Sequence, residues 1–368
     1  MSTTFDIFNE DFEQISFFKD EASGLKAIVV IHDSSLGPCL GGLRYWEYET
    51  EADALEDALR LAKGMTYKNA VAGVPFGGAK AVLIKDPNRP KDEHMMRAFG
   101  RFVDGLNGRY LTAEDVGTTT DDMDYIYQET FWVGGTSVKD GSSGNPSPYT
   151  AHGVYFGMKA AVMEAFGTDS LEGKTIILEG PGHVGLEVAK KALDEGAKVY
   201  ASDIFEAPRE RAREIGCEII DRDELFSVQA DIYAPCALGA TINDESIPQM
   251  KEAGIKVIAG SANNQLEEER HAKMVEDAGI VYAPDFIINS GGVISVADEF
   301  KGKYNPDRVL ASCEKIYGQI QRVFEIAKRD KVTSEEAAMI LAEERLAAIR
   351  ATKKIFRRYQ RSTYDFIN

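Results

Sequence analysis

The feature that most constrains the fold of this chain is a glycine-rich turn between a strand and a helix in its second half. The apolar run TIILE (175–179) is typical of a buried strand, and GPGHVG (180–185) follows it directly. LEVAKKALDEG (186–196) has the apolar spacing of an amphipathic helix, and KVYAS (198–202) has the pattern of the next strand. A strand, a helix and a second strand in this order predict a doubly wound parallel sheet.

The three glycines of this turn have the spacing of a dinucleotide site. Alone, Gly180-x-Gly182-x-x-Gly185 is weak evidence, because glycines fall at such intervals by chance in ordinary turns. Here the pattern follows a strand and opens a helix. Asp203 ends the next strand 18 residues after Gly185, close to the ~20 residues expected in a dinucleotide site. We therefore predict that the turn binds NAD, with the pyrophosphate at the helix N-terminus.

Each position of the predicted NAD site has a physical task. Gly180 permits the tight turn, Gly182 lets backbone N–H groups approach the pyrophosphate, and Gly185 allows close packing of helix and strand. The Asp203 carboxylate accepts hydrogen bonds from the ribose and repels a 2′-phosphate, which favours NAD over NADP. We expect His183 to face solvent. The remaining contributions come mainly from backbone atoms of Pro181, His183 and Val184.

The chain is predicted to form two α/β domains. Its 368 residues suit two domains, and the segment 134–148 is crowded with glycine, serine and proline, which is typical of a hinge. A helix is expected to start at Thr150. Further strands are predicted at 231–235, 256–260 and 279–284, and long helices from about residue 306. We divide the chain into domains at 1–138 and 139–330, with helices of 331–368 packing back on the first.

Charge and cysteine usage exclude several classes of protein. Asp and Glu (60) outnumber Lys and Arg (42), whereas nucleic-acid binders carry basic patches. The basic pairs 353–354 and 357–358 suit a helix C-terminus. The sequence contains no long apolar run, so no membrane span is expected. The N-terminus does not resemble a signal peptide. The four cysteines are scattered, which predicts buried, reduced thiols, no metal site and a cytoplasmic location. They are Cys39, Cys217, Cys236 and Cys313.

Two lysines and two acids lie in unusual surroundings. Residues 64–80 (GMTYKNAVAGVPFGGAK) place Lys68 and Lys80 among glycines and small residues, where solvated surface lysines are not expected. A lysine in such a site can hold a carboxylate, or lose its proton when it is desolvated. In LNGRYLTAEDVGT (106–118), Glu114 and Asp115 lie beside a turn, either as helix cap and solvated acid or as part of a site. An aspartate that converges with a lysine makes an acid–base pair.

Seven segments, in order along the chain, resemble the glutamate/leucine/phenylalanine/valine dehydrogenase family. The GMTYK…GGAK block is highly specific for the family, and the resemblance covers nearly the whole chain. It is nearest to the members that act on leucine, and it implies an N-terminal substrate domain, an NAD domain, a cleft between them, and a homo-oligomer, an octamer or smaller. The segments are GPCLGGLRYW, GMTYKNAVAGVPFGGAK, LNGRYLTAEDVGTT, GSSGNPSPYTA, CALGATIND, GSANNQL and YAPDFIINSGGVISVADE.

The resemblance also implies the chemistry. Lys68 binds the α-carboxylate of an amino acid, Lys80 activates the water that attacks the imine, and Asp115 moves protons to and from the amino group. Hydride leaves the amino-acid Cα for NAD, and ammonia and a 2-oxo acid depart without need of a metal. A backbone wall near the substrate and contacts near the nicotinamide are implied for Gly41, Gly42, Thr150 and Asn263, with Asn263 also near the substrate.

The pocket for the substrate side chain is identified from positions at which family members of different substrate preference carry different residues. Members that act on glutamate place a lysine at the position of Leu40 and a serine at the position of Val296. Members that prefer phenylalanine tend to have glycine at Ala113 and leucine at Val293. An apolar pocket cannot pair a buried carboxylate, so leucine, valine and isoleucine are the expected substrates and phenylalanine the alternative. The predicted pocket residues, which plain core packing also explains, are Leu40, Met65, Ala113, Val293 and Val296.

Two other functions fit the dinucleotide signature. A non-catalytic NAD-binding protein has no need for Lys68, Lys80 and Asp115 together. A 2-hydroxyacid dehydrogenase usually needs a histidine paired with an acid, and none of the five histidines lies in such a context. An amino-acid dehydrogenase is therefore the favoured interpretation.

Overall fold

The computed structural model describes residues 11–137 and 141–352, and it divides into two compact units. The first unit comprises Met1–Asn145, Ser295–Pro306 and Ala342–Asn368, and the second comprises Pro146–Ile294 and Asp307–Leu341. The domain boundary predicted between residues 138 and 139 lies outside the described residues, as do the predicted basic pairs and the end of the C-terminal helices.

The first unit is built on a six-stranded mixed sheet in the order β1-β2-β5-β3-β6, with β4 paired to β5. β1, β2 and β5 are antiparallel neighbours, whereas β3 and β4 run parallel to β5, and β6 runs parallel to β3. The elements are β1 (Gln14–Asp20), β2 (Leu25–Asp33), β3 (Cys39–Leu40), β4 (Leu43–Trp46), α1 (Glu51–Val71), β5 (Gly77–Ile84), α2 (Glu93–Gly105), β6 (Tyr110–Leu111) and α3 (Thr120–Tyr127).

The continuous apolar run of β2 is explained by helices on both faces of this sheet. Successive side chains of a strand point to opposite faces. Val29 and Ile31 accordingly pack in the cluster that contains the apolar residues of α2, such as Phe99. Ile28 and Val30 pack in a second cluster with small α1 residues spaced four apart, which let the helix approach the sheet closely: Ala54, Ala58 and Ala62.

The second unit contains a six-stranded parallel sheet in the order β12-β11-β10-β7-β8-β9. Numbered within the unit, this is the 3-2-1-4-5-6 order of doubly wound dinucleotide folds, so the predicted fold class is confirmed. Its strands are β7 (Thr175–Glu179), β8 (Lys198–Ser202), β9 (Glu218–Ile219), β10 (Ile232–Pro235), β11 (Val257–Ile258) and β12 (Val281–Tyr282).

Helices connect these strands, and further helices follow the last strand of the sheet. Two of them, α10 and α13, run from the second unit into the first. The helices are α4 (Ser147–Phe166), α5 (His183–Asp194), α6 (Glu206–Glu214), α7 (Ser246–Glu252), α8 (Arg270–Asp277), α9 (Asp285–Ile288), α10 (Gly291–Glu299), α11 (Pro306–Cys313), α12 (Ile316–Asp330) and α13 (Ser334–Thr352).

Two sequence expectations need correction. The helix expected to start at Thr150 begins at Ser147, with Pro146 at the N-cap and a proline in the first turn, where a missing N–H removes no helical hydrogen bond. Three cysteines are buried as predicted, but Cys236, which directly follows the C-terminal residue of β10, is only partly buried. Among the residues described, no helix is long and apolar enough to cross a membrane.

Candidate active site

The first unit brings together a buried lysine and an aspartate. Lys80 lies in the middle of β5, opposite Val30 of β2, and is only 4% exposed. Asp115 follows β6, and its Oδ2 atom lies 2.9 Å from Lys80 Nζ. The Asp115 backbone is held by Thr118, whose Oγ1 accepts a hydrogen bond from Asp115 N at 3.0 Å. Of the two arrangements left open by the sequence, the structure has the one in which the aspartate contacts the lysine.

The environment of the pair changes the proton affinity of both groups. Burial lowers the pKa of the Lys80 ammonium, and the Asp115 carboxylate opposes this effect only in part. Burial alone raises the pKa of Asp115, but the charges of Lys80 and Arg44 outweigh it and hold that pKa below its ordinary value. The site therefore contains an ionised carboxylate beside an amine that loses its proton more easily than a surface lysine.

The third predicted residue of the chemistry, Lys68, lies in the last turn of α1. Its helix neighbours contact the start of β5. Asn69 Nδ2 donates to Gly77 O at 2.6 Å, and a Cβ built on Gly78 lies 2.1 Å from Thr66 N. Thr66 and Asn69, which lie close to Lys68 on α1, thus contact the strand that carries Lys80. The glycines of β5 allow this close approach of helix and strand.

Gly41 and Gly42 lie where backbone segments meet. A side chain at Gly41 would place its Cβ 1.6 Å from Ala79 O, and Ala79 is next to Lys80 on β5. A Cβ on Gly42 falls 2.8 Å from Asp115 Cβ. Both positions therefore exclude any side chain, and they keep main-chain atoms beside the Lys80–Asp115 pair.

The predicted pocket residues are divided between the two units. Leu40 is buried in β3, and Ala113 is buried two residues after β6, where its carbonyl accepts from Leu43 N at 2.8 Å. Met65 is half-buried on α1. Val293 and Val296 share one face of α10, although Val293 belongs to the second unit and Val296 to the first.

The glycine-rich turn of the second unit has the geometry that its spacing predicts. Gly180 adopts a φ of 91°, which favours glycine, and the φ of Gly182 is −74°. A Cβ on Gly182 meets nothing within 4 Å, so its backbone is open to a ligand. A Cβ on Gly185 falls 2.2 Å from Gly180 O, so the helix packs directly on the turn.

The other residues of the predicted NAD site lie around this turn. Asp203 follows β8, the neighbour of β7, and its Oδ1 accepts from Phe205 N at 2.9 Å. His183 is exposed at the first position of α5, as expected, with Val184 half-buried beside it and Pro181 buried. This arrangement offers N–H groups at a helix N-terminus and a carboxylate at the adjacent strand end, so the residues fit a dinucleotide.

Thr150 and Asn263 also lie in the second unit. Thr150 is half-buried on α4, and a Cβ on Gly292, next to Val293, falls 3.0 Å from Thr150 Oγ1. Asn263 is exposed, and its Oδ1 accepts from Asn289 Nδ2 at 2.8 Å.

Several residues that orient these groups were missed by sequence reasoning. Arg44 belongs to the GGLR segment, and its Nε donates to Asp115 Oδ2 at 3.1 Å. Asn69, next to Lys68, also donates to Leu40 O at 3.1 Å. Arg345 of α13 donates to Val74 O at 3.0 Å and to carbonyls at the end of α1, where helix carbonyls lack partners. Arg44 and Asn69 both lie in segments that resemble the family, which was a usable signal, whereas Arg345 lies in none of these segments.

A doubly wound unit with a dinucleotide turn, joined to a unit with a buried lysine–aspartate pair, defines an amino-acid dehydrogenase. The chain belongs to the glutamate/leucine/phenylalanine/valine dehydrogenase family. Residues 12–131 match the dimerisation domain of Glu/Leu/Phe/Val dehydrogenases, and residues 204–353 match the Glutamate/Leucine/Phenylalanine/Valine dehydrogenase domain. Enzymes of this family use NAD(P), and the dimerisation domain indicates a homo-oligomer.

Individual relatives match over nearly their whole length. The leucine dehydrogenase of Thermoactinomyces intermedius is 56% identical over 359 residues, which are 97% of each chain. The phenylalanine dehydrogenase of Lysinibacillus sphaericus is 44% identical over 359 residues, 96% of this chain and 93% of its own. The crystal structure of L-tryptophan dehydrogenase from Nostoc punctiforme has a TM-score of 0.83 at 38% identity, covering 95% of this chain and 100% of its own.

Proposed function

We propose that this chain catalyses the reversible, NAD-dependent oxidative deamination of leucine, and also of valine and isoleucine, to 2-oxo acids and ammonia. The observation that carries the proposal is the buried Lys80–Asp115 pair, whose Nζ and Oδ2 atoms are 2.9 Å apart. The identity of 56% to a leucine dehydrogenase, against 44% to a phenylalanine dehydrogenase, supports the branched aliphatic substrate.

In the proposed reaction, Lys68 holds the substrate carboxylate. Asp115 is ionised and accepts a proton from the substrate ammonium, which prepares the amino acid for oxidation. Burial lowers the pKa of Lys80, so its amine can take a proton from the water that adds to the imino acid. Asp115 then returns its proton to the nitrogen of the resulting carbinolamine. As the C–N bond breaks and ammonia departs, the hydroxyl proton passes to the carboxylate regenerated on Asp115, and the 2-oxo acid forms. Electrostatic interactions act strongly here because Lys80 is almost completely buried and the Asp115 side chain is only 25% exposed.

NAD, when bound, supplies the acceptor for the hydride of the amino-acid Cα. We propose that the turn Gly180–Gly185 and the N-terminus of α5 hold its pyrophosphate, and that Asp203 holds the adenosine ribose. Thr150 and Asn263 complete the site near the nicotinamide. In this assignment residues 1–138, with the helices of 331–368, form the substrate and oligomerisation domain, and 139–330 form the NAD domain.

Asp203→Ser is expected to narrow the preference for NAD over NADP. The substitution removes a negative charge that repels the 2′-phosphate, so kcat/KM with NADP should rise relative to NAD by about ten-fold, or ~1.4 kcal/mol. Asp194→Ser is the matched control, because Asp194 is exposed at the far end of α5. A native protein that uses both cofactors equally well contradicts the placement of Asp203 at the ribose.

Ala113→Gly is expected to shift the substrate preference toward phenylalanine, and Ala113→Gly with Val293→Leu to shift it further. A methyl-sized change in an apolar pocket is worth roughly 1–3 kcal/mol, or about 10–200-fold in relative specificity. The measurement is the ratio of kcat/KM for phenylalanine to that for leucine in wild type and both variants. An unchanged ratio contradicts the assignment of Ala113 to the pocket.

The oligomer and the location of the protein complete the proposal. We propose a homo-oligomer, an octamer or smaller. Light scattering after size-exclusion chromatography measures the mass of the oligomer and so the number of its subunits. A cytoplasmic location is supported by the four cysteines, which form no disulfide with one another and three of which are buried.

One experiment tests the function directly. Purified protein with NAD is assayed for NADH formation against leucine, valine, isoleucine, phenylalanine, tryptophan and glutamate. The proposal expects leucine, valine and isoleucine to have the highest kcat/KM. A preference for phenylalanine or glutamate overturns the substrate assignment, and a lack of activity with every amino acid overturns the reaction.

A further inference from the structure

Arg44 contacts the Lys80–Asp115 pair from the neighbouring strand. It lies on β4, which runs parallel to β5 with Arg44 opposite Val82. Its Nε atom donates to Asp115 Oδ2 at 3.1 Å, and its Nη1 atom lies 2.9 Å from Asp57 Oδ2. The guanidinium thus bridges two carboxylates, and the planar fork of an arginine suits this task better than the single ammonium of a lysine.

The contacts of Asp115 are unevenly distributed over its two oxygens. Lys80 Nζ and Arg44 Nε both contact Oδ2, at 2.9 and 3.1 Å. The contacts of the Asp115 carboxylate with Lys80 and Arg44 are both at Oδ2, so Oδ1 is the oxygen available to a proton from the substrate.

The backbone around Asp115 reinforces this geometry. Leu43 N donates to Ala113 O at 2.8 Å and Tyr45 N donates to Val116 O at 2.9 Å, so β4 runs alongside the segment that carries Asp115. Arg44 lies between these two bonded residues of β4, which holds its side chain next to the carboxylate.

We infer that Arg44 is a positioning residue that fixes Asp115 through Oδ2 and directs Oδ1 toward the amino group of the substrate. The inference rests on the proposed function, in which Asp115 exchanges protons with that amino group. It assigns to the GGLR segment a role in catalysis that acts through Asp115.

Asp57 and Tyr48 fix Arg44 in turn. Asp57 lies on α1, and its Oδ2 accepts from the Tyr48 hydroxyl at 2.7 Å. Its Oδ1 lies 2.8 Å from the guanidinium of Arg60, which is largely exposed. Charges therefore alternate from Lys80 through Asp115, Arg44 and Asp57. Since Asp57 and Arg44 are both mostly buried, the ion pair is screened less than a surface pair.

Arg44 has the same effect on the proton affinity of both members of the pair. Its positive charge lowers the pKa of Asp115 and also lowers the pKa of Lys80, while Asp57 raises the pKa of Lys80. Glu114 and Tyr110 also interact electrostatically with Asp115. Loss of the Arg44 charge must therefore raise the pKa of Asp115 and the pKa of Lys80. The direction is the same whichever of these two groups governs the rate.

The test is the pH dependence of leucine oxidation in Arg44→Gln and Arg44→Lys. Oxidation needs the deprotonated pair, so the rate is lost as the pH falls through the pKa of the pair. Arg44→Gln is expected to move this acidic limb of kcat/KM upward by about 1–2 pH units, the effect of one opposite charge near a carboxylate. Arg44→Lys keeps the charge but loses the fixed Nε contact, so it should move the limb less and lower kcat at the optimum.

Arg97→Gln is the matched control, because the Arg97 guanidinium pairs with Glu93 and Glu129 of the same unit and not with the carboxylate of Asp115. It should keep the wild-type pH profile. Thermal unfolding and NADH binding are measured for each variant, so that instability is separated from the pH effect. If Arg44→Gln does not fold, a wild-type kcat and profile in Arg44→Lys overturn the inference.

Asp115→Asn separates the two proposals. Wild-type rates in Asp115→Asn mean that the proposed function of Asp115 is wrong. If Asp115→Asn is inactive while folded Arg44→Gln keeps the wild-type acidic limb, only the inference about Arg44 fails.

Discussion

Lys80→Ala is expected to lower kcat for leucine oxidation by about 10²–10⁴-fold, the typical contribution of a general acid or base. The physical reason is the environment of the amine. Lys80 is almost completely buried and lies 2.9 Å from Asp115, so water cannot replace it readily as a proton acceptor. NADH binding, followed by fluorescence, should stay near wild type, because the glycine-rich turn and Asp203 belong to the second compact unit.

Lys85→Ala is the control for this experiment. Lys85 directly follows β5, is substantially exposed and pairs with Glu47 at 3.4 Å, so its removal should leave kcat unchanged. Asp115→Asn should reproduce the loss seen in Lys80→Ala, since the two side chains act as a pair and their effects are not expected to multiply. Wild-type-like turnover in a folded Lys80→Ala protein would show that the catalytic base lies elsewhere.

Leu40→Lys is expected to lower kcat/KM for leucine by at least ~100-fold. Leu40 is 1% exposed, in a short strand between β5 and β6. A lysine at this position buries an unpaired ammonium, at a penalty of several kcal/mol, and each ~1.4 kcal/mol corresponds to ten-fold. The same ammonium can pair with the distal carboxylate of glutamate, so weak glutamate oxidation should appear in the variant.

Leu40→Met is the matched control, because it conserves volume and apolar character and should cost less than ~1.5 kcal/mol. Leu40→Lys should also unfold at a lower temperature than Leu40→Met, and adding glutamate should recover part of the difference. Should Leu40→Lys leave leucine kinetics unchanged, the side-chain pocket lies elsewhere, and the assignment of the substrate fails while that of the family stands.

The two units differ in how far their folds were predictable. Strands of the parallel sheet are buried on both faces and therefore have short, continuous apolar runs that are easily seen, as in TIILE before Gly180. In the first unit, β3 and β6 have two residues each, which is too short for any periodicity to show. β1 is an edge strand with half-buried and exposed residues, and it carries no continuous apolar run.

Glycine acts differently in the two predicted sites, and only one of these roles is local. The role of Gly180 follows from its own backbone, since a positive φ between strand and helix is a property of the turn itself. The role of Gly41 depends on Ala79, which is distant in sequence and whose carbonyl leaves no space for a side chain. A local pattern can reveal the first kind of glycine but not the second.

By itself, the sequence determined the class of fold, the dinucleotide turn and the residue types of the chemistry, because hydrophobic periodicity and motif spacing are local properties of the chain. Only the tertiary structure decided which charges meet. Lys80 lies on β5 and Asp115 lies in the segment that follows β6, and β3 brings the two together because it pairs with both β5 and β6. Their side chains are then 2.9 Å apart. Arg44 joins them from β4, with Asp57 of α1 behind it. The pKa of each group depends on these distances and on burial, which arise only when the strands pair and the helix packs on the sheet.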